Sequence, residues 1–207
     1  MRAAFKLLLG LTLLALVPAA SMSAPTPVRP DDMTLGNPKA KVVVVEYASL
    51  SCPHCARFHN TVFPAFRKKY VDSGKVLFVY REFITGPAEV AIPATILARC
   101  AGKANYFKVV ERVFAVQEEI YKGGSIATMH VILKREAAPF GIDAARYDAC
   151  MADQAAFDAL QTRVERAVEE DKIDGTPTFV INGKTISPPV GKEMDLATLD
   201  KAIAAAK

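Results

Sequence analysis

A run of β-branched and aromatic residues, Val42-Val43-Val44-Val45-Glu46-Tyr47, is followed five positions later by the quartet Cys52-Pro53-His54-Cys55. A continuous apolar strand of this kind is buried on both faces, at the centre of a sheet. Pro53 suits the first position of a helix, and Phe58, Val62, Phe63 and Phe66 then recur at three- and four-residue spacing. The spacing predicts a helix over 53–70, kinked or broken near residue 60 because Pro64 has no N–H to donate. Asp72-Ser73-Gly74 turns the chain into a second strand, 76–83, parallel to the first through this crossover. Two cysteines at the start of a crossover helix limit both the fold and the chemistry.

Residues 34–41 read as a turn-rich lead-in to the first strand. From Pro87 to about Gln161 the pattern is helical. One helix covers 89–101 and stops at Gly102, and one covers 104–120, with Tyr106, Phe107 and Phe114 at core spacing. A third, near 126–138, is capped by Ser125; a short one runs from Ile142 through Met151. A longer helix over 154–172 carries Phe157, Leu160, Val164 and Val168 on one stripe. Strands return at 178–181 and 185–186 around the Asn182-Gly183 turn, and Asp195 caps a final helix, 196–206. The last two strands would be marginal as an isolated hairpin, so they join the first sheet and the helical block is an insertion.

The chain opens with a positive segment (Arg2, Lys6), an apolar stretch over 7–17 and small residues over 19–24, the three-part pattern of a secretory signal peptide. Pro18, Ser21 and Ser23 interrupt the run before the roughly 20 apolar residues of a membrane anchor. The mature protein is therefore expected to be exported and soluble, not an integral membrane protein. The formal charge of +4 includes Arg2 and Lys6, which leaves +2 with acids and bases mixed along the chain. That balance points away from nucleic acid as a partner. Four cysteines outside the cytosol are most simply two disulfides. Cys52 and Cys55 pair with each other, and Cys100 and Cys150 form a structural bridge or, as the alternative, two buried thiols.

The stretches VVVVEYASLSCPHC (42–55) and GTPTFVINGK (175–184), in a β-α-β, helices, β-β-α order, resemble the DsbA-like thiol–disulfide oxidoreductases of the bacterial periplasm. The resemblance covers residue 31 to the end. It implies an α/β thioredoxin-like fold with a helical domain inserted between its two halves. The expected division is a signal peptide at 1–24, a discontinuous thioredoxin-like domain at 25–86 and 162–207, and the insertion at 87–161. It also implies a periplasmic enzyme that introduces disulfides into unfolded or reduced exported proteins without a cofactor. A quinone-linked membrane partner would reoxidise it. By the same resemblance Thr176-Pro177 forms a cis-proline loop facing the site, and Glu46 lies beneath the cysteines and assists proton transfer at the second sulfur.

The residues support that chemistry independently. A sulfur at the N-cap of a helix meets unsatisfied N–H groups and the positive end of the dipole. Pro53 presets the first turn, and His54 adds a donor or a positive charge beside Cys52. All favour the thiolate, the species that attacks and leaves in exchange. Cys52 is thus the expected nucleophile, and Cys55, one turn in and shielded, resolves. Threonine at 176 resembles isomerase-type members, so an isomerase or reductase is the alternative direction. A different class, a metal-binding module on Cys52, Cys55 and His59, lacks a fourth ligand at suitable spacing, and no metal is expected. His59 and His130 read as structural histidines.

Overall fold

A computed structural model describes residues 27–206; the signal-peptide expectation at 1–24 lies outside the described residues. Five strands form one sheet in the order β1-β3-β2-β4-β5. The central strand β2 (Val42–Ala48) is buried at all seven positions, as a β-branched run between two covered faces must be. It pairs in parallel with β3 (Val76–Glu82) and antiparallel with β4 (Thr178–Ile181), which turns at Asn182-Gly183 into β5 (Lys184–Ile186). One expectation is corrected: within the supposed lead-in, β1 (Met33–Gly36) forms an edge strand antiparallel to β3. Its four residues are followed at once by the turn formers Asn37 and Pro38, so its strand character comes from the Met33–Tyr80 to Gly36–Leu77 pairing rather than from local pattern.

The crossover between β2 and β3 is broken where proline predicts it. Helix α1 (Pro53–Thr61) ends as Val62 donates to the Phe58 carbonyl; α2 (Phe63–Phe66) restarts with Pro64 in its first turn and widens into a π-turn over Arg67–Val71. Five helices separate β3 from β4: α3 (Ala88–Cys100), α4 (Tyr106–Lys122), α5 (Ile126–Ala137), α6 (Ala144–Met151) and α7 (Gln154–Glu169). Ser125, Asp143, Asp153 and Asp195 each cap a helix through a side-chain oxygen, the last being α8 (Leu196–Ala205). The stripe expected on α7 is only partly covered: Leu160 is buried, whereas Phe157 and Val168 are exposed.

Alternation along β2 splits the core. Val42, Val44 and Ala48 face α1, α2 and α4 in one cluster with Phe63, Phe66, Phe78, Phe107 and Phe114. Val43, Val45 and Tyr47 face the other way, against Ala167 and Ile173. The first cluster runs without interruption from the sheet into α4 and α5, so the helical block and the sheet share one core. Cys100 and Cys150 are bonded, tying the end of α3 to α6 with Cα atoms 6.1 Å apart.

Candidate active site

The segment after β2 is held from three sides before it reaches the first cysteine. Ser49 and Ser51 hydroxyls lie 3.0 Å apart, and Ser51 Oγ donates to the Thr85 carbonyl at 2.8 Å. From α4, the Gln117 amide donates to the carbonyls of Leu50 (2.8 Å) and Cys52 (3.3 Å), and the Tyr121 hydroxyl donates to the carbonyl of Ser51. Gln117 and Tyr121 stand one turn apart on one helix face, so a single helix grips three consecutive carbonyls.

Cys52 is the N-cap of α1 and Pro53 occupies its first turn. The Cys55 N–H donates to Cys52 Sγ at 3.4 Å, and the Cys52 thiol donates to the Thr176 carbonyl at 3.4 Å. Both thiols are free here. A hydrogen bond from the Cys55 side chain, opposed by burial and reinforced by the Thr176 side chain and the N–H groups of Cys55 and His54, brings Cys52 down to about 6. The Cys55 thiol moves the other way: complete burial, the hydrogen bond it gives to Cys52 and the charge of Glu46 push it far up. Two chemically identical groups three residues apart are thereby split into an ionisable one and a protonated one.

Thr176–Pro177 is a cis peptide beside Cys52, and the Thr176 hydroxyl is buried without a partner. Ionised Cys52 would offer it an acceptor. His54 lends its backbone N–H to the sulfur, while its ring is exposed and hydrogen-bonded through Nδ1 to Glu193 Oε1 at 2.8 Å; Arg57 reaches the same oxygen at 2.9 Å. His54, Phe58, Val62, Pro177, Pro188 and Met194 line a cleft of about 360 Å³ alongside the cysteines.

Beneath them, Glu46 is fully buried and sits on the α1 face of β2. Its Oε2 lies 2.8 Å from His59 Nε2, and its Oε1 has no partner. His59, which the sequence reads as a structural histidine, meets the acid from α1, one turn beyond Cys55. His130, by contrast, hydrogen-bonds the Tyr147 hydroxyl at 2.6 Å, away from the site on α5. Among the described residues no group of three or more His, Cys, Asp or Glu is placed to hold a metal ion, and His59 Nε2 is engaged by Glu46. Gln117, Tyr121 and Glu193 were not singled out from the sequence; polar residues on an amphipathic helix or in a loop carry no local mark of what they reach.

The family model described as Thioredoxin matches residues 29–205. A Rickettsia bellii protein named as a candidate protein-disulfide oxidoreductase is 35% identical over 154 residues, 74% of this chain and 58% of that one. The chain spans less than two thirds of the length of that relative and of its Rickettsia counterparts. The crystal structure of Wolbachia pipientis alpha-DsbA1 superposes with a TM-score of 0.74 at 28% identity, covering 87% of this chain and 92% of that one. BdbD from Bacillus subtilis shares the fold, with a TM-score of 0.67 at 18% identity over 89% of this chain and 97% of its own. With a CxxC quartet capping the first helix of such a fold, the chain belongs to the thioredoxin family, among its DsbA-like members.

Proposed function

We propose that the protein is a thiol–disulfide oxidoreductase that introduces disulfides into exported proteins in the periplasm. Cys52 is the nucleophile, Cys55 resolves, Pro53 and His54 set the first turn around the sulfur, and Thr176 with Pro177 lines the substrate face. The observation that carries this reading is the placement of the two thiols: Cys52 Sγ caps α1 and accepts the Cys55 N–H at 3.4 Å, which favours its thiolate, whereas Cys55 is fully buried. A stabilised Cys52 thiolate favours the reduced enzyme, and an enzyme that prefers to be reduced gives its disulfide away. Clients would be reduced or unfolded polypeptides pairing with the Thr176 backbone, and a membrane quinone-linked protein would restore the disulfide. On this reading residues 25–86 and 162–207 form the catalytic unit and 87–161 the inserted helical one.

Oxidised protein mixed with a reduced peptide bearing two cysteines is the test. Stoichiometric oxidation of the peptide with reduction of Cys52 and Cys55 supports the assignment; no transfer refutes it. Thr176 favours a second direction, isomerase or reductase, because its unpartnered hydroxyl can bind a substrate sulfur or carbonyl. Trapping the cysteines in living cells separates the two: a mostly oxidised pair belongs to an oxidase, a mostly reduced pair to an isomerase or reductase.

A further inference from the structure

His59 is a buried titratable side chain beneath the cysteines to which the proposed exchange assigns no role. It projects from the last turn of α1 into the sheet face, and its side chain is 1% exposed. Its ring is stacked on Phe114 (centroids 4.5 Å apart, planes at 21°) and tilted over Phe63 (4.7 Å), with the edges of Phe58 and Tyr80 closing the sides. Its polar attachment is Glu46 Oε2; Nδ1 has no partner.

The charge balance of this pocket is what gives the ring a task. Glu46 is opposite Tyr80 on β3 and Phe179 on β4. The titratable groups facing the pair are Cys55 from α1 and Tyr80 from β3, with Glu82 and Tyr106 behind Tyr80, each neutral or negative when it ionises. Among the described residues no lysine or arginine pairs with Glu46. A lone carboxylate there would lack any counter-charge at a depth where that is severely costly. An imidazolium supplies one, and the faces of Phe114 and Phe63 favour a cationic ring over a neutral one.

We propose that His59 is the positioning residue of the resolving step: as an imidazolium it occupies Glu46 Oε2, keeps Glu46 ionised, and leaves Oε1 free to take the Cys55 proton. This rests on the exchange chemistry proposed above. In that step the Cys55 S–H proton passes to Glu46, the Cys55 sulfur attacks Cys52 Sγ, the Cys52–Cys55 bond forms, and the bond from Cys52 to the substrate sulfur breaks. The substrate leaves as a thiolate with the electron pair, and the proton on Glu46 is then released to it or to solvent. Opening of the Cys52–Cys55 disulfide is the reverse, with Glu46 returning a proton to the departing Cys55 sulfur.

The test is single-turnover resolution of a Cys52–glutathione mixed disulfide as a function of pH. His59→Gln keeps a hydrogen-bond partner for Glu46 and removes the charge. The expected result is a rate profile displaced to higher pH by a unit or more, a loss of about tenfold at neutral pH, with the Cys52 titration unchanged. In a Glu46→Gln background the same substitution should add nothing. A wild-type profile in His59→Gln, or an equal slowing in both backgrounds, overturns the proposal. Nitrogen-15 NMR of the reduced wild-type protein at pH 7 needs no variant: both His59 ring nitrogens protonated is the expected result, and a neutral ring overturns it. Wild-type protein that never resolves the mixed disulfide would instead refute the oxidoreductase reading itself.

Discussion

Cys52 and Cys55 stand three residues apart at a helix start as free thiols, whereas Cys100 and Cys150 are 50 residues apart in sequence and bonded to one another. Around Cys52 are a thiol, a carbonyl, a hydroxyl and two N–H groups; around Cys150 are Ile96, Leu160 and partly buried apolar neighbours. The same atom is thus disposed to ionise in one place and made a cross-link in the other. The difference lies in which donors reach the sulfur, since both Cys52 and Cys150 are buried to the same degree.

The widest separation between the pairs should be in exchange itself. Cys52→Ser is expected to abolish it, and Cys55→Ser to accumulate mixed disulfides with clients, because the resolving thiol is gone. Trapping through Cys52→Ser would reverse the roles. The second pair should answer in stability and not in chemistry. Its bridge spans 50 residues, for which the chain-entropy relation gives about 4 kcal/mol. Replacing both Cys100 and Cys150 by alanine should lower the denaturant midpoint accordingly while exchange rates at room temperature stay near wild type. A double variant that melts normally and exchanges slowly would erase the contrast.

A third effect belongs to Cys52 alone. Its folded value of about 6 lies below the roughly 8.5 of a thiol in an unfolded chain. The reduced fold therefore gains stability that is fully present above about pH 8.5, shrinks as pH falls, and is gone below about pH 6. At about 1.4 kcal/mol per unit the ceiling is roughly 3 kcal/mol. Denaturant melts of reduced and oxidised protein from pH 5 to 9 should show the reduced form ahead at the alkaline end and the gap closing toward pH 5. A gap that ignores pH would separate Cys52 from the tuning. The smallest effect is expected from His54→Ala. The backbone N–H remains and the ring is engaged by Glu193, so thiolate absorbance should place Cys52 within about one unit of wild type.

Much of this was legible in the sequence where local pattern and tertiary placement agree. The β-branched run became the central strand, Pro64 broke the helix, and the capping residues Ser125 and Asp195 stand at helix starts. Cys52 at a helix start followed from Pro53 beside it. What escaped depends on pairing across the fold. Met33–Gly36 is a strand because β3 offers it an edge, and its neighbour Asp32 binds Arg81 from 49 residues away. His59 looked ordinary on its helix because Glu46, 13 residues earlier, meets it only after the sheet and helix pack. A buried acid in an apolar strand was a visible demand for a partner; which residue met the demand was not visible. Glu82 on the next strand shows the other answer. There Arg99, Arg163 and the Tyr106 hydroxyl satisfy both carboxylate oxygens, and these partners outweigh burial to hold the group below the usual carboxylate range.

The grip of α4 on the carbonyls of residues 50, 51 and 52 bears on how such a protein could be shortened. By chain order the helices between β3 and β4 look removable, a cassette spliced into a smaller ancestor. By hydrogen bonding they are not, because Gln117 and Tyr121 supply donors to the loop that carries Cys52. A miniature enzyme made by joining β3 directly to β4 would keep every cysteine of the quartet and lose the splint that sets their angle. Transplanting this site into a leaner scaffold therefore means carrying two residues of α4 with it, or finding three new donors.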